Sequence, residues 1–119
     1  MNQPDIQLPN EKLIAYQLAV EFHRTLMPLA RFRGLAPLRD QLHRAADSVV
    51  LNLAEGAGRT SRDDKRRFYA IAQGSLTECA AVLDCLNNRN AISPQTHADC
   101  RARAVRLYRL LSSLAGPPR

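Results

Sequence analysis

The chain has 119 residues, a length that builds one domain around a single core. Apolar residues are 45% of it and aromatic residues 5%, so the core is made of Leu, Ala, Val and Ile rather than of rings. The formal charge is +6, with cations that are almost all arginine, and no apolar run is long enough to span a bilayer, which excludes a membrane protein of the helical kind.

Residues 1–9 carry two prolines and no periodic pattern, and read as a loose N-terminal arm. They lack the basic start and apolar middle of an export signal, so the expected compartment is the cytoplasm. An odd cysteine count fits that compartment; Cys79 and Cys100 fall on apolar faces as small buried hydrophobes. Asn10 is the expected N-cap of a first helix, with Glu11 in its first turn, running to about Met27. Its main apolar face is Ile14, Ala15, Leu18, Ala19, Phe22 and Leu26. A second stripe, Leu13, Tyr16, Val20 and Met27, is centred roughly 150° away at ~100° per residue. Scattered surface apolars are ordinary, but the sharper expectation is a subunit interface. Pro28 ends or kinks the helix. Leu29 to Pro37 connects onward, and Arg31, Arg33 and Arg39 make that connection basic, either solvated or facing phosphate.

The centre of the chain, Leu38 to Glu78, reads as two amphipathic helices joined at a glycine-containing turn. Leu38, Leu42, Ala45, Ala46, Val49 and Leu53 recur at three- and four-residue steps. Gly56 and Gly58 are expected to close the helix by taking the left-handed conformation. Ser61 with Asp64 fits a capping-box variant, and Asp63 and Asp64 favour the positive end of the new helix dipole. Phe68, Ile71, Ala72, Ser75, Leu76, Cys79, Val82, Leu83 and Leu86 form its buried face, a near-heptad seam that asks for an antiparallel neighbour. Gly74 sits mid-helix at a cost of about 1 kcal/mol relative to Ala, which predicts a close helix approach. Asn87 to Asn90 breaks the pattern, and Ser93-Pro94 restarts it as N-cap and first helical residue. The last helix buries Cys100, Ala104, Leu107, Leu111 and Leu114, with Arg103, Arg106 and Arg109 stepping around the opposite side. Gly116-Pro117-Pro118 stops it, leaving a short tail at 116–119. The fold expected is all-α, an up-down-up-down antiparallel four-helix bundle over 10–115.

Asn52-Leu53-Ala54-Glu55-Gly56, then Gly58-Arg59, Phe68, Ile71-Ala72 and Gly74-Ser75-Leu76-Thr77-Glu78 resemble the signature of the 23S ribosomal RNA intervening-sequence protein family. Gln41-Leu42-His43-Arg44-Ala45-Ala46 matches its preceding piece. One departure stands at Val50 and Leu51, where the family often has Pro-Ser. The resemblance implies a small bacterial four-helix bundle without enzymatic activity that self-associates, as a ring such as a pentamer. Related four-helix proteins accompany reverse transcriptases, which implies a reverse transcriptase and RNA or DNA as partners.

No pattern points to chemistry. Carboxylate-bridged metal bundles need Glu-x-x-His pairs, which are absent, since Glu21 and His23 are two apart and face different ways. The glycines follow a helix rather than a strand and lack a following Lys-Ser, so they do not cradle phosphate. No cofactor or metal is expected. Glu55 lies in the last turn of its helix, where its charge opposes the dipole; Arg59, Arg62 or Arg66 is expected to pair with it, either as a clasp of the hairpin or as a contact for a partner. Asn52 satisfies backbone groups or bridges subunits. Two functions remain. One is a nucleic-acid-binding oligomer with Arg62, Lys65, Arg66, Arg103, Arg106 and Arg109 outside, since arginine offers bidentate phosphate contacts. The other is a protein scaffold whose charge is incidental, because a GC-rich genome also yields an Arg-rich, Lys-poor chain. Leu51, off the seam of its helix, joins Leu13, Tyr16, Val20 and Met27 in the expected subunit interface.

Overall fold

A computed structural model describes residues 7–31 and 34–115. Among them are four α-helices: α1 (Ile14–Leu26), α2 (Ala36–Gly58), α3 (Arg62–Asn88) and α4 (Pro94–Ala115), with a 3-10 turn at Pro28–Arg31. Each helix packs on its two neighbours, α1 on α2, α2 on α3, α3 on α4 and α4 on α1, while the diagonal pairs stay apart. Short connections make successive helices antiparallel, so this is the up-down-up-down four-helix bundle that the periodicity predicts. The expectations for residues 1–6, for the side chains of Arg31 and Arg33, and for the tail at 116–119 lie outside the described residues.

The helices start where local chemistry tells them to. Ser61 Oγ accepts from the Asp64 amide at 3.1 Å, and Ser93 Oγ accepts from the Thr96 amide at 3.0 Å, with Pro94 opening α4. Gly34 takes φ +88° before α2, a left-handed turn that only glycine makes cheaply. The first helix departs from expectation. It begins at Ile14, and Asn10 does not cap it. Instead Asn10 accepts from the Leu13 amide in a turn, and the Gln17 side chain holds the Glu11 carbonyl.

The core runs through all four helices. Phe22 and Leu26 of α1, Leu42 and Leu53 of α2, Leu76, Leu83 and Leu86 of α3, and Leu107 and Leu111 of α4 are almost fully enclosed. At 13 residues, α1 is about 20 Å long, half the length of α3. Leu29 and Leu35 of the following connection cover core that α1 does not reach. Because α1 lies between α2 and α4, its buried arc is wide. Leu13, Tyr16 and Met27 lean against the core, so they do not form a separate outer stripe; Ile14 is exposed and Leu18 half-buried.

In α3 the buried seam is Tyr69, Ala72, Leu76, Cys79, Val82, Leu83 and Leu86. Phe68 is half-buried and Ile71 is exposed, because they lie on the adjoining stripe that borders α2 rather than on the seam itself. Leu114 likewise stays largely open at the end of α4.

The glycines act differently from what the sequence suggests. Neither Gly56 nor Gly58 is left-handed; α2 continues through both and stops at Arg59 in an extended conformation. Gly56 is instead a contact point. A Cβ there would meet the buried Tyr69 ring at 2.7 Å and the Phe68 Cβ at 3.1 Å. Gly74 is the reverse. It is exposed, and a Cβ on it meets nothing within 4 Å, so no helix of this chain approaches it. Two substitutions therefore have opposite signs in urea unfolding. Gly56→Ala forces the Tyr69 ring to move and costs about 1–3 kcal/mol, whereas Gly74→Ala removes a propensity penalty and gains up to about 1 kcal/mol.

Candidate functional site

Two groups of residues compete as the functional site. The first carries the sequence signature and lies along the joint of α2 and α3. Gln41 Nε2 donates to Glu78 Oε1 at 2.9 Å, and the Ser48 and Ser75 hydroxyls share a hydrogen bond at 2.6 Å. Asn52 Nδ2 donates to both the carbonyl and the hydroxyl of Ser48, at 2.9 and 3.0 Å. At the hairpin end the Lys65 ammonium donates to the carbonyls of Ala57 (2.9 Å) and Gly56 (3.3 Å). A cation there caps the last carbonyls of α2, of which that of Gly56 also accepts from the Arg59 amide, and meets the negative end of its dipole. Lys65 is thus occupied in the fold.

Glu55 pairs with Arg59 at 3.1 Å within its own helix, four residues apart and mostly exposed. It does not reach across the hairpin to Arg62 or Arg66. Arg59 also lies over the Phe68 ring at 4.8 Å, as does Arg67, so two guanidinium groups flank one half-buried ring. Glu55, Arg59 and Gly58 border a shallow depression with Ala54 and the 63% exposed Leu51. The polar residues of the signature hold two helices together, and Gly56 sets how closely they approach.

The second group is on α4. This helix carries Arg101, Arg103, Arg106 and Arg109 against a single acid, Asp99. In α1, α2 and α3 the acids equal or outnumber the cations. Among the helices, then, the net positive charge is concentrated on α4. Arg101, Arg106 and Arg109 line one groove of about 440 Å³ with Ala102, Val105, Leu110 and Ser113. Arg103 is exposed but outside it. Steps of three residues precess by about 60° around a helix, which separates Arg103 from Arg109 and brings in Arg101, overlooked in the sequence. Arg62 and Arg66 do not line this groove; they lie in the first turns of α3.

Several of the remaining reactive groups are held in the fold, while Cys85 is a free and exposed thiol. Two His–Asp contacts tie helices together, His23 to Asp47 across α1 and α2 and His97 to Asp84 across α3 and α4, each at 2.7 Å. Burial pushes the Cys79 thiol up to about 12, with Glu78 adding to the rise; burial also raises Cys100. Both stay as unreactive neutral thiols near neutral pH. Among the described residues no three His, Cys, Asp or Glu side chains gather as metal ligands, and no helix is long and apolar enough to cross a membrane.

The two parts of the hairpin end differ in weight. Lys65→Met leaves two carbonyls at the end of α2 without their cation and lowers unfolding stability by about 1.5–3 kcal/mol. Glu55→Gln removes only an exposed same-helix pair, worth about 0.3–0.5 kcal/mol. Urea denaturation of both variants checks the order, and an equal loss for the two contradicts it.

Comparison with known proteins agrees with this architecture. A family model described as 23S rRNA-intervening sequence protein matches residues 11–113. A crystal structure of a protein of unknown function from the S23 ribosomal protein family of Bacteroides thetaiotaomicron superposes with a TM-score of 0.80. It is 19% identical, over 87% of this chain and 100% of that one, a likeness of fold. No curated protein matches the chain.

Proposed function

This chain belongs to the 23S rRNA-intervening sequence protein family, and from that premise we propose that it is a non-enzymatic, self-associating helical protein that holds nucleic acid by its phosphates through α4. The observation that carries the reading is the charge of that helix: four arginines against one acid, three of the four lining a single groove. Guanidinium groups give phosphate both charge and paired donors. Contacts to phosphate carry no sequence information, so binding through them is largely independent of sequence. The buried Cys79 and Cys100 thiols and the His–Asp contacts within the fold favour a binding role over a catalytic one.

Salt dependence tests it. Log K falls against log salt with a slope of about −0.7 to −0.9 per phosphate neutralised. Replacing Arg101, Arg106 and Arg109 together by Gln weakens binding and flattens the slope, with helicity unchanged. A parent that binds neither RNA nor DNA at low salt leaves the scaffold reading in its place.

Self-association rests on a separate observation. Leu51 and Ile14 are 63% and 62% exposed, large apolar side chains on the outside of α2 and α1. Val20 is half-buried on α1 and borders a surface groove with Ile14 and Leu18. Repeated around a closed assembly, such residues supply the buried area that association needs. Like-charged subunits repel, so added salt strengthens assembly while it weakens nucleic-acid binding. Changing Val20 and Leu51 to Glu gives a smaller sedimenting species with full helicity. A parent that sediments as a monomer at micromolar concentration refutes the assembly.

A further inference from the structure

We propose that the groove between α3 and α4 takes single-stranded nucleic acid, with one base stacked on Tyr108 and flanking phosphates held by Arg66 and Arg101. This rests on the reading of α4 as a nucleic-acid surface and adds the class of ligand.

Among the described residues the other aromatic rings are spoken for. Phe22 and Tyr69 are buried, Tyr16 leans on the core, and Phe68 lies under two guanidinium groups. Tyr108 is 45% exposed and is the open ring among the described residues. Its position is fixed from α3, because Gln73 Nε2 donates to the Tyr108 carbonyl at 3.1 Å and to Ser112 Oγ at 2.7 Å. Beside the ring is a notch of about 160 Å³, walled by Val105 and Arg101 of α4 and by Leu76, Thr77 and Ala80 of α3. Arg101 and Val105 also border the basic groove on the outer face of α4, so these two side chains form the ridge between the two depressions.

Cations bracket this ring along the groove. Arg101 is seven residues before Tyr108, on the same stripe of α4 and about 10 Å along it. Arg66 is seven residues before Gln73, on the stripe of α3 that faces α4, about 10 Å in the other direction. Asp63 lies one turn before Arg66, and from Arg66 onward that stripe of α3 meets no acid until Asp84, which is bonded to His97. The order along the groove is therefore cation, aromatic with apolar walls, cation. A duplex turns phosphates outward and keeps its base faces stacked inside, so it engages the arginines but gives the ring nothing. A single strand offers both a backbone and an open base face, the combination that basic grooves with aromatic platforms bind.

Fluorescence anisotropy with a labelled oligothymidylate of about 16 nucleotides and a duplex of equal length tests this. The single strand is expected to bind more tightly. Tyr108→Ala weakens it about ten-fold with duplex affinity and helicity unchanged. Tyr108→Leu, which keeps apolar bulk without a π face, loses the same affinity, and Tyr108→Phe retains it. Unchanged single-strand affinity in Tyr108→Ala, or tighter duplex binding, overturns the proposal, and if the arginine variants still weaken binding, the phosphate reading survives. Absence of binding to either nucleic acid overturns both, as does capture of an acidic helical peptide in their place.

Discussion

The fold depends on how closely α2 and α3 approach at their hairpin end. Gly56 sits against the Tyr69 ring with no room for a side chain, and the ring in turn is part of the seam that runs down α3. A methyl group at 56 forces the Tyr69 ring to move. Further along the same joint stand the Ser48–Ser75 and Gln41–Glu78 hydrogen bonds, at 2.6 and 2.9 Å. Lys65 fixes the same end by binding the last carbonyls of α2. Helix packing at this distance trades a glycine's propensity cost for area buried between the helices.

This joint explains why residues that look functional in a linear reading are structural in three dimensions. Polar side chains along this half-open edge find partners in one another: Gln41 with Glu78, and Ser48 with Asn52 and Ser75. With these committed to the hairpin, the face left to meet a partner is on the other side of α3. There α4 presents arginines with little acid to offset them, and the α3–α4 groove adds an open ring. The division is physical: one edge of α3 is satisfied internally, the other borders an unneutralised surface.

Much of this was legible in the chain itself. The four helices follow from apolar spacing, and the caps at Ser61 and Ser93 follow from rules that act over three residues. What the sequence could not convey is contact between segments. Gly56 and Gly74 look alike in a linear reading, yet one touches a ring and the other faces open space. Lys65 looks like one more surface cation until α2 is seen to end beside it. Tyr69 rather than Ile71 enters the core because two adjoining stripes of α3 are both apolar enough, and the position of α2 selects between them. Arg101 was missed because a run of arginines at three-residue steps draws the eye around the helix instead of along it. Tyr108, which ends no motif, becomes noticeable only when the other rings are accounted for.

The central claim is that α4 and the groove beside it meet nucleic acid, while the signature residues of the α2–α3 joint do not. Photo-crosslinking of the protein to an RNA carrying 4-thiouridine, with mass-spectrometric mapping of the attached peptides, addresses it most directly. The account predicts attachment within residues 101–113, at Tyr108 and its neighbours, with the hairpin end unlabelled. Attachment concentrated at residues 51–68, with α4 unlabelled, contradicts it.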